Sequence, residues 1–553
     1  MDSFRWLSDG SGIVFKSLQP LSSEDQKRSD SDRSRGFDGR SSGVSSRAWE
    51  FRIWRLEADK SSLITVPGPG VGDWDLSPDD NYIVYASNGW EPHDEESPTD
   101  LWIHDRAAGS TRRVTTRWGP ETQPVFSRDG EWIAYKADQD SSITYSQEEL
   151  RVVSVSGLVG HQVSGDLDLA LDKPFWATGS RVLSAEVSQG LDNGRVEFSP
   201  GPLYLTLPDG SRMRGDIPAP IEAMLQATVG RYDSEFSAAQ NASVITWIGE
   251  SSGEWPEVWL SYEVGRSGKI SREGQWPDPA PVSSLESGTF GKGVGDFRRI
   301  RSTAPDGTVT ESLLALPDTT LYGPGPYPTI TQLHGGPYNR NTARPRDNPT
   351  ALVLASHGYL VYMPNFRGSK GYGNAFGTAA RGRDFAEGPY RDVMAGLDSL
   401  IARGLADSTR LGIMGGSYGG YLSMFAISRT DRFKAAVSMY GMSSLITDFG
   451  NGKSPSYELE YLGEPYWKGN PLWTELSPAW HVDKIHTPLL LLHGENDQSV
   501  GISNSREMWT ALTVLKRPVE FITYPREGHG FREPNHRIDA CRRTVAWFDR
   551  YLK

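Results

Sequence analysis

"LGIMGGSYGG" (residues 411–420) places one serine among glycines directly after a short apolar run. On composition alone this could be a Gly/Ser loop between a strand and a helix. The sharper reading is a nucleophile elbow, the strained turn that lifts a serine hydroxyl above a sheet as a strand passes into a helix. The flanks favour the elbow, because "RLGIM" reads as a buried strand and "YLSMFAISR" as a helix. Gly415 and Gly419 leave room for the turn, and Gly420 lets the helix pack closely on the sheet. The first turn of that helix also offers free backbone N–H groups to a developing oxyanion.

Outward from Ser417, strand and helix patterns alternate from Asp296 to the C-terminus. "FRRIRSTAPDGTVTESLLALP" reads as a hairpin turning at Asp306-Gly307, and "TITQLHGGP" as a strand running into a Gly-rich loop. "YRDVMAGLDSLIARG" has apolar residues at helical spacing, and "TPLLLLHGEND" is continuous enough for a strand buried on both faces. Alternating units of this kind imply a mostly parallel sheet covered on both sides, with its site outside the carboxyl ends of the strands. The expected fold class is therefore an α/β-hydrolase domain over residues 291–553.

A serine hydroxyl needs a base to become a nucleophile. In this fold the triad follows the order Ser, then Asp or Glu, then His. His529, in the loop "YPREGHGF" after the strand "VEFITYP", fits that place. His493 ends a strand inside an apolar run and precedes the acid candidates, so it reads as a packed strand-end residue. His481 and His486 read as surface residues of a helix-to-strand connection. For the acid, "HGENDQSV" offers Asp497, with Glu495 as the alternative. Asp497 is preferred because it lies further out, where the loop can turn back to the imidazole. Its carboxylate would hold the imidazole tautomer and stabilise the imidazolium. The oxyanion donors would be the N–H of Tyr418 and one from "HGGP" (334–337).

The N-terminal half has a different period. "WLSDGSGIVF" (6–15), "WDLSPDDNYIVY" (74–85) and "VFSRDGEWIAY" (125–135) share an apolar or aromatic lead-in, a Ser/Asp/Gly turn and an alternating strand. Weaker copies follow at "PFWATGSRVLSAEV" and "FSAAQNASVITWIG". Repeats spaced about 50 to 70 residues apart, with four short strands each, are the pattern of a β-propeller, here of five units at most. An antiparallel sandwich is the plainer alternative. The chain starts inside such a repeat, so a longer natural N-terminus and an incomplete propeller are both expectations. "SREGQWPDPAPVSSLESGTFGKGVG" (271–295) reads as a linker, which divides the chain into a β-propeller-like domain at 1–290 and the hydrolase domain at 291–553.

Composition narrows the functional classes. A net charge of −13 argues against nucleic acid as a partner. No run approaches the roughly 18 apolar residues of a membrane span. The start lacks the basic and apolar regions of a signal peptide, so the expected location is cytoplasmic. A single cysteine, Cys541, excludes an intrachain disulfide and reads as a small buried thiol in a helix. There is no Walker loop, no strand-linked GxGxxG and no HExxH, so neither cofactor nor metal is implied. The oligomeric state stays open, a homo-oligomer included.

Taken together, "GGSYGGY", "HGGP", "NFRGSKGYG" (365–373), "DVMAGLDSLI" (392–401), "HGENDQSV" and "YPREGHGF" resemble the prolyl oligopeptidase family of serine peptidases, in its acylaminoacyl-peptidase and dipeptidyl-peptidase-like branch. The resemblance covers residues 296–553 and more loosely the repeats. It implies Ser417, Asp497 and His529 as the triad and the N–H groups of Tyr418 and Gly336 as the oxyanion hole. His334 matches the acylaminoacyl-peptidase pattern where other relatives carry a tyrosine, so its side chain is given no catalytic role. The resemblance also implies an S1 pocket lined by Met442, Leu445, Tyr457 and Val500. Leu445 stands where proline-specific relatives have tryptophan, which implies a broader apolar P1 preference. Dipeptidyl peptidases of the family grip the substrate amine with propeller glutamates. Glu95 with Glu96 and Glu148 with Glu149 are pairs of that kind, but each reads as a solvated turn.

The expected function is a serine peptidase on short peptides, with the propeller limiting access by size. An esterase on the same core is the alternative, and a non-catalytic propeller binding protein a minor one. Because the base must be neutral, the rate should fall on the acid side. A rate flat from about pH 5 to 8 would count against His529.

Overall fold

The computed structural model describes residues 294–553 apart from 344–346 and 453–454; before them it describes residues 3–19, 49–56, 61–68, 71–87, 99–116, 119–138, 148–157, 161–164, 168, 170–176, 183–198, 200–206, 212–218, 231–238, 244–251, 257–262 and 280–281. The N-terminal part is built of small antiparallel sheets. Four-stranded sheets are formed within residues 3–68, 71–113, 121–162 and 231–281, with a three-stranded sheet within 170–198 and a separate hairpin at 200–218. That hairpin had no counterpart among the repeats.

The Ser/Asp/Gly turns explain why the three clearest copies look alike. Ser77 Oγ donates to Asp79 Oδ1 (2.6 Å) and accepts from Tyr82 N–H (2.8 Å). Ser127 does the same with Asp129 (2.5 Å) and Trp132 N–H (2.9 Å). The residue after the aspartate then takes a positive φ: Gly10 at 71°, Asp80 at 62° and Gly130 at 74°. Small polar side chains close the turn locally, and only residues tolerant of positive φ can occupy its last position.

The C-terminal part is one eight-stranded sheet. Its strands are β1 (Val294–Thr303), β2 (Val309–Pro317), β3 (Tyr327–Leu333), β4 (Leu360–Asn365), β5 (Ala406–Gly416), β6 (Phe433–Met439), β7 (Leu489–Gly494) and β8 (Val519–Tyr524). They lie in the order β1-β2-β4-β3-β5-β6-β7-β8. β2 is antiparallel to both β1 and β4, and the remaining pairs are parallel. Successive residues of β7 feed opposite cores: Leu489 and Leu491 join the apolar cluster on one face, Leu490 and Leu492 that on the other.

Helices α1 (Pro349–Ser356) and α7 (Pro534–Leu552) cover one face, and α2 (Glu387–Ala402) and α3 (Tyr418–Ile427) the other. α4 (Leu445–Asn451) and α5 (Pro455–Leu462) follow the carboxyl end of β6, and α6 (Ser503–Val514) joins α2 and α3 on their face, with Met508 and Leu512 in the same core. Cys541 on α7 is half-buried, not fully enclosed. Among the described residues no helix is long and apolar enough to cross a membrane.

The two parts touch at loops that border the strand ends. Gly190 N–H donates to Gly371 O (2.8 Å), Arg340 to Ser188 Oγ (2.9 Å), and Tyr338 Oη to Glu148 Oε2 (3.2 Å). Lys370 also meets Glu148, and Lys136 Nζ lies 3.8 Å from the same carboxylate. This corrects the solvated-turn reading of the pair. Glu148 and Glu149 begin a strand and are only 5% and 4% exposed. Glu148 tolerates burial because two lysines match its charge. Glu95 and Glu96 lie outside the described residues.

Candidate active site

β5 ends at Gly416 and α3 begins at Tyr418, leaving Ser417 alone at the turn with φ 56° and ψ −125°. A non-glycine residue held there is strained, and such strain persists only where its surroundings over-determine it. Here those surroundings are backbone. A Cβ on Gly419 would stand 2.4 Å from Leu333 O, and one on Gly415 2.4 Å from the carbonyl carbon of Gly419. The two glycines therefore let α3 start almost in contact with β3, and Ser417 is carried out over the sheet edge. Ser417 N–H is anchored to Met439 O at 3.0 Å.

The structure brings the three sequence candidates together. His529 Nε2 lies 2.9 Å from Ser417 Oγ, and His529 Nδ1 2.8 Å from Asp497 Oδ2. Asp497 is buried, with its side chain fully enclosed, whereas the imidazole is 28% exposed. Oδ1 of Asp497 accepts from the N–H groups of Ser499 (3.0 Å) and Val500 (3.1 Å). Oδ2 faces His493 Nε2 at 3.3 Å as well as His529. Burial alone would push this carboxyl up. The hydrogen bonds from His493 and His529 outweigh it and hold it down at about 2. Glu495, the alternative acid, is turned away and accepts from Thr523 Oγ1 at 2.9 Å.

The proposed oxyanion donors flank the serine. Tyr418 is the first residue of α3, so its N–H has no acceptor within the helix. On the other side, the glycine loop comes so close that a Cβ on Gly335 would stand 3.4 Å from Ser417 Cβ. His334 is stacked on Phe366 at 4.2 Å, and its ring nitrogens meet Gly335 O (2.7 Å) and Ser369 Oγ (2.9 Å). Burial drives its pKa down to about 4. The ring is a neutral prop for the loop, with both nitrogens engaged.

Met442, Leu445 and Val500 fall in one buried apolar cluster, against which Tyr457 packs. Tyr457 also has a polar contact, since its hydroxyl donates to Gly336 O at 2.8 Å. Tyr457→Phe should therefore cost about 1 kcal/mol at the transition state, roughly a five-fold loss of kcat. Steady-state kinetics on one amide substrate would check it, and a change in KM alone would limit Tyr457 to the pocket.

Four residues had not been singled out from the sequence. Glu527 is 2% exposed and closes the His529 loop: its carboxylate accepts from Arg532 N–H (2.9 Å), Glu533 N–H (2.9 Å) and His536 Nδ1 (2.8 Å). Its place two residues before the histidine in "REGHG" was the available signal. Tyr440, at φ 40°, stands edge-on to His529 with ring centroids 4.9 Å apart. Arg367 and Asp392, from the motifs "NFRG" and "DVMAGL", form a buried bidentate pair. His486 pairs with Asp431 at 3.2 Å, half-exposed as expected, and His481 bonds Glu475 O at 2.9 Å. Neither approaches the triad. Among the described residues, Glu527, Glu533 and His536 are the group whose donor atoms lie close enough for a metal, but these atoms already brace the loop.

An elbow serine after the fifth strand, an acid after the seventh and a histidine after the eighth are the arrangement of a serine-type α/β hydrolase. Residues 346–553 match the Prolyl oligopeptidase family. The chain is 33% identical over 264 residues to the uncharacterized peptidase YuxL of Bacillus subtilis, covering 46% of this chain and 39% of that protein. It therefore spans well under two thirds of that relative. It is 23% identical over 507 residues to dipeptidyl-peptidase 5 of Porphyromonas gingivalis, covering 90% of this chain and 69% of the relative. In fold it is similar to the acylaminoacyl peptidase of Pyrococcus horikoshii, with a TM-score of 0.76 at 18% identity over 100% of this chain and 82% of the other.

Proposed function

We propose that this chain is a serine peptidase of short peptides, acting in the manner of acylaminoacyl- or dipeptidyl-peptidases. The observation that carries the reading is the hydrogen-bonded series Ser417–His529–Asp497 at the elbow. In this reading Ser417 Oγ attacks the scissile carbonyl while His529 Nε2 takes its proton. The tetrahedral oxyanion is held by the N–H groups of Tyr418 and Gly336. His529 then passes the proton to the departing amine, leaving an acyl-enzyme on Ser417. Water, deprotonated by the same imidazole, releases the acid product. Asp497, ionised throughout, stabilises the imidazolium in both halves. The β-rich N-terminal part, which reaches the site loops through Glu148, would restrict which peptides arrive.

The test is hydrolysis of an acyl-aminoacyl amide, a free-amine dipeptidyl amide, an internally placed chromogenic amide and a p-nitrophenyl ester, with Ser417→Ala as control. Amide cleavage reduced by about 10⁶ in the variant is expected, and the preferred amide names the branch. Ester cleavage without amide cleavage would make the protein an esterase. A panel untouched by Ser417→Ala would remove the triad from the chemistry.

A further inference from the structure

We propose that His493 is a positioning residue for the catalytic acid, extending the series to Ser417–His529–Asp497–His493; this rests on the triad reading above. His493 closes β7 and is entirely buried. Its place after four leucines asks for an apolar side chain, yet every polar atom of the ring is matched. Nδ1 lies 2.7 Å from Ser505 Oγ on α6, and Nε2 lies 2.9 Å from Val500 O and 3.3 Å from Asp497 Oδ2. Both partners of Nε2 are acceptors, so this nitrogen carries a proton. Ser505, itself buried, faces the other nitrogen and fixes the ring plane. A fixed, buried N–H is thereby bonded to Val500 O and held beside the oxygen that His529 uses.

Two effects follow. The second N–H beside Oδ2 restrains the carboxylate from rotating out of the His529 plane. The bond to Val500 O also tethers the far end of the acid loop, whose own N–H groups hold Oδ1. In addition, the donor withdraws charge from Oδ2, so it moderates the pull of the carboxylate on a protonated His529. The other titratable groups facing this carboxylate are Tyr440 and the buried Asp448.

The experiment compares His493→Leu, which keeps bulk without a donor, with His493→Gln, whose amide N–H can reach the place of Nε2. Each is assayed for kcat, KM and the pH profile on the amide that the wild type prefers, with thermal melting to confirm folding. Leucine is expected to lower kcat by about 10-fold with KM within about two-fold, and to move the acid limb to higher pH. Glutamine should return kcat to within about three-fold of wild type and restore the limb. Glutamine no better than leucine, or leucine with wild-type kcat and limb, would overturn the proposal and leave a packing role. If the leucine variant does not fold, His493→Met replaces it under the same criteria. The triad reading fails separately, through a wild type whose activity survives Ser417→Ala.

Discussion

Asp497→Asn is expected to lower kcat by about 10⁴ with little change in KM. The size of the effect comes from proton placement and not from lost charge alone. Oδ1 of Asp497 accepts two backbone N–H groups, from Ser499 and Val500, so an asparagine must put its carbonyl oxygen there. Its NH₂ then faces His529 Nδ1 where Oδ2 now accepts. That ring nitrogen becomes an acceptor, its proton moves to Nε2, and the imidazole presents a donor to Ser417 where the mechanism needs an acceptor. Steady-state kinetics at neutral pH would read the loss, with melting curves to show that the fold persists. Glu495→Gln is the paired control and should leave kcat unchanged, because Glu495 points at Thr523. A large loss in Glu495→Gln with a mild one in Asp497→Asn would exchange the two assignments.

Asp392→Asn should produce the largest loss of stability, about 3–5 kcal/mol, or about 10 °C in Tm. Arg367 makes three bonds to this carboxylate: N–H to Oδ2 at 2.8 Å, Nε to Oδ2 at 2.9 Å and Nη2 to Oδ1 at 2.6 Å. The side chains are 7% and 0% exposed. Removing the anion leaves a guanidinium in a nearly dry site, with only Asp306 at 2.7 Å to offset it. Replacing both partners, Arg367→Met with Asp392→Leu, should recover much of the loss, because no buried charge is then stranded. A double variant as unstable as Asp392→Asn would mean that the pair shapes the loop and does not merely neutralise itself. The same loop carries Ser369, which supports His334 beneath the glycine turn, so activity should fall in step with stability.

The parts that were legible in the sequence are those whose cause is local. The elbow could be read from Gly415, Ser417 and Gly419 because backbone contact forbids larger residues there. His529 and Asp497 could be placed because each follows a strand, and strand ends converge in a parallel sheet. Two of the repeated turns betrayed themselves by a serine two residues before an aspartate, Ser77 with Asp79 and Ser127 with Asp129, which is one hydrogen-bonding unit. What escaped depends on distant partners. Glu148 meets Tyr338 and Lys370, 190 and 222 residues away, and nothing near it in the chain foretells that burial. His493 was hidden by its neighbours, since four leucines make any side chain there look like packing. Arg367 and Asp392 stood in motifs that carried the resemblance, but a motif does not say which residues hold each other.

The bond between Tyr338 and Glu148 gives the molecule a mechanical interlock. Tyr338 lies two residues beyond Gly336, and Glu148 belongs to the opposite, β-rich part. Any parting of the two halves must break this bond and the Lys370 contact beside it before a gap can open. The loop that would cradle the oxyanion is then released on one side at the moment large molecules could reach the serine. An open molecule would thus be a disarmed one, and a guest too bulky to let the halves meet would keep it so.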